Sequence, residues 1–153
     1  MYSVWLNEDQ QRVWRDYLTM TSRLQAAMNR QLQADCGLSL ADYEVLVALE
    51  ERPRCRMNEL GERLGWEQSR VSHQLRRMTD RALVARHGAA GDRRGVTVEI
   101  TATGRQALAA AAPGHVALVR EVLFDGMSAG QTAAVGRWLA RALDRLDGAD
   151  GAD

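Results

Sequence analysis

The sequence predicts a mainly α chain, α+β in class, with six helices around one small antiparallel sheet of two or three strands. Three observations predict it. Apolar residues recur at steps of three and four through most of the 153 residues, as at Val13, Tyr17, Met20, Leu24 and Leu32. One interval departs from that spacing: Val96, Val98 and Ile100 alternate, as strand residues do. Serine and threonine cap signals and Gly or Pro stops then divide the chain into helix-length pieces.

The first helix runs from about Glu8 to Ala34 and stops at Cys36-Gly37, since glycine readily takes the left-handed conformation just past a helix end. At 1.5 Å per residue it extends roughly 40 Å, longer than a small core covers, so it is expected to pack on a partner chain. Ser39-Leu40-Ala41-Asp42 reads as a capping box opening a second helix, which buries Tyr43, Leu46, Val47 and Leu49 and ends at Pro53. A third helix, Met57 to Leu64, buries Met57, Leu60 and Leu64, and Gly65-Trp66 turns into a fourth whose Val71, Leu75 and Met78 face the core. Strands follow at Leu83–His87 and Val96–Ile100, joined by a turn tipped with Gly91-Asp92-Arg93-Arg94-Gly95. Thr101 caps an alanine-rich fifth helix, interrupted by Pro113-Gly114, where the proline should kink it, and closed at Phe124-Asp125-Gly126. Ser128-Ala129-Gly130-Gln131 caps a sixth, striped by Val135, Trp138, Leu139, Ala142 and Leu146. The tail GADGAD is poor in apolar residues and is expected to be disordered. No internal repeat is visible.

Composition excludes several classes. At 46% hydrophobic and 26% charged residues, the chain suits one domain, or a small module with an added helical dimerisation element. No run of about 18 apolar residues suggests a membrane span, and MYSVWLNEDQ lacks the pattern of a secretion signal. Cys36 and Cys55 lie far apart without a Cys-x-x-Cys or His pairing, so neither a zinc site nor a disulfide framework is expected. A cytoplasmic protein without metal or cofactor fits. Catalysis is not expected either: there is no Ser/His/Asp set or phosphate loop, and His73, His87 and His115 fall in separate elements.

The formal net charge is zero, but its distribution is uneven. All 20 basic residues are arginine. Ten of them lie between Arg54 and Gly95 against five acids, so that segment stands at +5 and the remainder at −5. Within it, Glu67–Thr101 sets a polar, arginine-bearing helix ahead of an arginine-tipped hairpin. That is the layout of a winged helix-turn-helix, whose helix enters the DNA major groove and whose hairpin reaches the backbone or the neighbouring minor groove. Double-stranded DNA is the partner it implies.

Ser69, Arg70, Ser72, His73, Gln74, Arg76 and Arg77 lie off the Val71/Leu75/Met78 face and are the candidate DNA contacts on the helix. Ser69, Arg70 and His73 occupy the early turns, where base edges are met. Arginine can give guanine O6 and N7 two parallel hydrogen bonds. Arg76 and Arg77, later in the helix, suit phosphates. Arg93 and Arg94 at a glycine-flanked tip suit a narrow minor groove. An ordinary solvated helix face and a solvated turn are the alternatives.

The order of elements, with Ser69-Arg70-Val71-Ser72, Leu75, Met78, Leu83-Val84, Arg86, Asp92-Arg93-Arg94 and Ile100-Thr101 ahead of Gly104, resembles the multiple-antibiotic-resistance regulator (MarR) family from roughly Glu8 to Leu146. The resemblance implies a homodimer built by the first, fifth and sixth helices, and binding to a palindromic operator. It also implies relief of repression by a small phenolic or anionic ligand, or by cysteine oxidation in one branch. It divides the chain into a dimerisation helix (1–35), a DNA-binding lobe (36–101), C-terminal dimerisation helices (102–147) and the tail (148–153). Arg86 and Asp92 would position the wing, Asp92 holding an arginine rather than approaching DNA. Trp14, Tyr17, His115 and Arg120, with Trp5, Arg15 and Tyr43, are candidates for the ligand pocket, although an aromatic at helical spacing equally reads as core. The oxidation-sensing branch has its cysteine near the start of the first helix, where this chain has none, and Cys36 follows Asp35, so both cysteines read as structural or incidental. Ala82 stands where the family has glycine. A positive φ there costs on the order of 1 kcal/mol, so a slightly altered helix end is expected. The alternatives are a redox-sensing regulator and a dimeric interaction protein that has lost operator reading.

Overall fold

The computed structural model describes residues 5–88 and 95–150. The chain forms two compact units, 1–115 and 116–153. The first holds α1 (Glu8–Cys36), α2 (Leu40–Glu51), β1 (Arg54–Arg56), α3 (Met57–Leu64), α4 (Gln68–Asp80), β2 (Val84–His87), β3 (Thr97–Ile100) and the start of α5 (Ala102–Val119). The second continues α5 through a π-helical turn at Arg120–Phe124 and adds α6 (Ala129–Asp150).

Local chemistry explains most helix ends. Asn7, Ser39 and Ser128 each accept a hydrogen bond from the backbone N–H three residues on, and the side chains of Gln10, Asp42 and Gln131 answer from the other direction. At the C-termini of α1, α3 and α4 the chain closes in the same paired way. In α1 the Gly37 N–H donates to Gln33 O and Leu38 N–H to Leu32 O; in α3 the Gly65 N–H donates to Glu62 O and Trp66 N–H to Gly61 O.

The third instance corrects an expectation. After α4, Ala82 takes φ 59°, its N–H donating to Thr79 O and that of Leu83 to Met78 O. The helix end is not altered to suit alanine. The Thr101 hydroxyl donates to Ala82 O at 2.6 Å and fixes the turn from outside. That hydroxyl also accepts from the Gly104 N–H and so caps α5. A Cβ on Gly104 would run into the Leu83 carbonyl oxygen, which explains the Thr-x-x-Gly spacing physically.

The core of the first unit is Leu46, Leu49, Leu60, Leu75, Met78 and Val98, all fully buried, with Leu32 of α1 and Ala111 of α5 joining it. In α2, Val45 and Ala48 are buried, while Tyr43 and Val47, expected inside, are half-buried. The helix is apolar on nearly every side, so spacing alone does not choose its inner face. The sheet has the order β1-β3-β2 and is antiparallel, with Cys55 opposite Val98 and Val84 opposite Ile100. The strand not placed from sequence, β1, is only three residues long and carries too little alternation to read.

Two further expectations are corrected. α5 is not interrupted at Pro113-Gly114 but runs on to Val119, where a π turn follows. Of the expected tail, 148–150 belong to α6, and 151–153 lie outside the described residues. By length and composition alone, Ala102–Phe124 is apolar enough to cross a bilayer, against the expectation of no such stretch. Its leucines and valines, more than its alanines, make it so.

Replacing Ala82 by glycine relieves the left-handed strain. Ala82→Gly should stabilise the fold by about 1 kcal/mol, seen as a higher urea midpoint at unchanged slope.

Candidate nucleic-acid interface

The fourth helix has two chemically distinct faces. Val71, Leu75 and Met78 are buried, whereas Ser69, Arg70, His73, Arg76 and Arg77 are exposed and Ser72 is half-buried. Gln74 is the correction. It was expected outside with the other polar residues, but it is 7% exposed and donates its side-chain amide to Asp42 Oδ1 at 2.6 Å. A polar residue among core positions is stable because it has a buried partner.

That partner organises the lobe. Asp42 is buried in the first turn of α2, where its Oδ2 accepts the Ser39 N–H at 2.9 Å. The same oxygen accepts Arg81 Nη1 at 2.7 Å, and Arg81 Nη2 donates to Gly37 O at 2.7 Å. One carboxylate thus joins the start of α2 to the middle of α4 and to the residue that ends it, and Arg81 carries the link to the end of α1.

On the outer face Arg70 lies over the Trp66 ring, 3.9 Å from its centroid, which steadies a long side chain through a cation–π contact. Arg76 and Arg77 make no ion pair among the described residues. Arg86, on β2, places Nη2 3.6 Å from Met57 Sδ and borders a small cleft with Gln68 and Ser72 at the base of α4. On the neighbouring strand face, His87 and Glu99 approach to 3.1 Å. Asp92, Arg93 and Arg94 lie outside the described residues.

The ligand-pocket candidates do not gather in one place. Trp14 stacks on Tyr17 at 5.9 Å within α1, and Trp14 borders a cavity with Trp5, Leu6, Gln11 and Arg15. His115 instead packs on Tyr43 at 4.3 Å, beside a cavity of about 510 Å³ that also meets Glu44, Glu51 and Arg63. Arg120 belongs to the second unit. Trp66, Glu44, Arg63 and Arg81 were missed from the sequence. The Trp66/Arg70 spacing of four residues was the one available signal; the others act across distant segments.

Neither cysteine sits in a reactive setting. Burial pushes the Cys55 thiol up, and Glu59 adds to that. Cys36 is half-buried and donates to Leu32 O. Among the described residues there is no cluster of three or more potential metal ligands.

The fold has known relatives. The MarR family model matches residues 37–95, the stretch that carries α2 through β2. The structure of Sco3205, a MarR family transcriptional regulator from Streptomyces coelicolor in complex with DNA, superposes with a TM-score of 0.87 at 34% identity, covering 95% of this chain and 92% of that one. The chain belongs to the MarR family. It is therefore a DNA-binding transcriptional regulator and not an enzyme. The MarR family regulator AbsC, also from Streptomyces coelicolor, matches at TM-score 0.86 and 33% identity, over 95% of this chain and 99% of its own. The transcriptional regulator BldR from Sulfolobus solfataricus matches at 0.72 and 26%, over 92% and 99%. No curated protein matches the sequence.

Removing the shared carboxylate should loosen this regulator's lobe. Asp42→Ala leaves Gln74 buried without its acceptor and opens the α2 cap, and should cost about 3 kcal/mol in urea unfolding. Asp42→Asn, which keeps an acceptor, should cost less.

Proposed function

We propose that the regulator is a homodimeric repressor that binds a palindromic operator and leaves it on binding a small aromatic effector. The observation that carries the DNA reading is the outer face of α4: four arginine or histidine side chains project from one exposed surface whose opposite side is core. Arg70 and His73 would meet base edges, Arg76 and Arg77 phosphates, and Arg93 or Arg94 the minor groove, with Arg86 and Asp92 setting the wing. That Sco3205, 34% identical to this chain, was solved in complex with DNA supports DNA as the partner. The retained arginines speak against an interaction protein without operator reading, and the protonated, buried Cys55 speaks against redox sensing. A cytoplasmic location follows from the role.

The dimer reading rests on apolar residues that a lone chain leaves in water. On α1 these are Val13, Trp14 and Leu18; on α6 they include Val135, Leu139, Leu143 and Leu146. Light scattering should return twice the 17.0 kDa chain mass, and a mass near one chain would contradict the dimer.

Operator binding can be measured with DNA from the gene's own promoter. Arg70→Ala should cost roughly 1–3 kcal/mol and relax preference at one base pair, whereas Arg76→Ala should weaken all sequences alike and flatten the dependence of log affinity on log salt. Equal behaviour of both variants and wild type would remove α4 from the interface.

A further inference from the structure

The 510 Å³ cavity of the first unit has a charge pattern that selects among effectors. Its walls are largely aliphatic, and the Tyr43 and His115 rings, 4.3 Å apart, offer a surface for a flat ring. His115 Nδ1 is buried without a hydrogen-bond partner among the described residues, so a ligand hydroxyl or N–H has a ready counterpart there. Burial lowers the His115 pKa, and the imidazole therefore adds no positive charge at neutral pH.

Three charged side chains remain on the wall: Glu44, Glu51 and Arg63. The Arg63 guanidinium is already committed, with Nη2 on Glu51 at 2.6 Å and Nη1 on the Ala48 carbonyl at 2.9 Å. Glu51 is neutralised by the same contact. Glu44 has no hydrogen bond or ion pair among the described residues. Burial raises the Glu44 pKa and the Arg70 charge opposes that through space, but Arg70 lies over Trp66 and is not part of the wall, so a cation seated in the cavity is what would hold Glu44 ionised. An incoming anion thus finds carboxylates and no free cation; an incoming cation finds Glu44.

We infer that this cavity takes a small aromatic amine, with its ring against Tyr43 and His115 and its ammonium at Glu44, in preference to an aromatic acid. This rests on the reading of the chain as an effector-responsive regulator and names the charge of the effector.

The test uses two probes with one ring and opposite charge, tyramine and 4-hydroxyphenylacetate, titrated into the full-length protein by calorimetry. Tyramine should bind wild type at least tenfold more tightly. Glu44→Gln should erase that preference, and Glu51→Gln, which frees Arg63, should move it toward the acid. Equal affinities, tighter binding of the acid, or no tyramine binding at millimolar concentration in wild type would overturn the inference. So would a folded Glu44→Gln protein that keeps the preference. Operator binding of the unliganded wild type is measured separately, so a failure to bind DNA counts against the regulator reading and leaves the cavity result intact.

Discussion

The carboxylate of Asp42 is the point on which the lobe depends. It is almost fully buried, and a buried carboxylate is tolerated only when its lone pairs are used. Here they are used by the N–H of Ser39 (the residue that caps α2), the Gln74 amide and the Arg81 guanidinium. Those donors come from the start of α2 and from the middle and end of α4, so α4 can shift against α2 only by breaking charge-assisted hydrogen bonds. The aliphatic core fills the space between the helices but is not directional. The Asp42 contacts set the angle at which α4 presents its outer face.

That angle matters because the outer face is chemically simple. A guanidinium steadied by Trp66, a histidine one turn on and two more arginines beyond have little to hold them in place individually. Their positions follow from the helix beneath them. The Ala82 turn and Gly104 extend the same constraint to the sheet and to α5, since the Thr101 hydroxyl ties the end of α4 to the start of α5 within a few ångströms. Sequence neighbours of α4 are thereby locked to it, while the apolar stripes of α1 and α6 stay available for a second chain.

What could be read from the residues followed their range of action. Caps at Ser39 and Ser128, glycine ends at Gly37 and Gly65, and the Val71/Leu75/Met78 face are local, and each stands where the spacing placed it. Gln74 was misplaced because hydropathy sorts side chains by type and cannot see a partner 32 residues away. The Asp42–Arg81 pair, 39 residues apart, had no local signal at all. Ala82 shows the reverse failure: propensity argued against a left-handed alanine, and three hydrogen bonds around it outweighed propensity. The cavity of Tyr43 and His115 joins α1, α2, α3 and α5, so its membership emerges only once the chain is folded.

Guanine N7 methylation interference tests most directly whether the exposed face of α4 enters the major groove. N7 lies on the major-groove edge, where an arginine or histidine of that face would approach it. If the regulator is the proposed dimer on a palindromic operator, methylation of guanines in two symmetric half-sites, about one DNA turn apart, should block binding. Interference confined to adenine N3 on the minor-groove edge, or none at guanine, would contradict it.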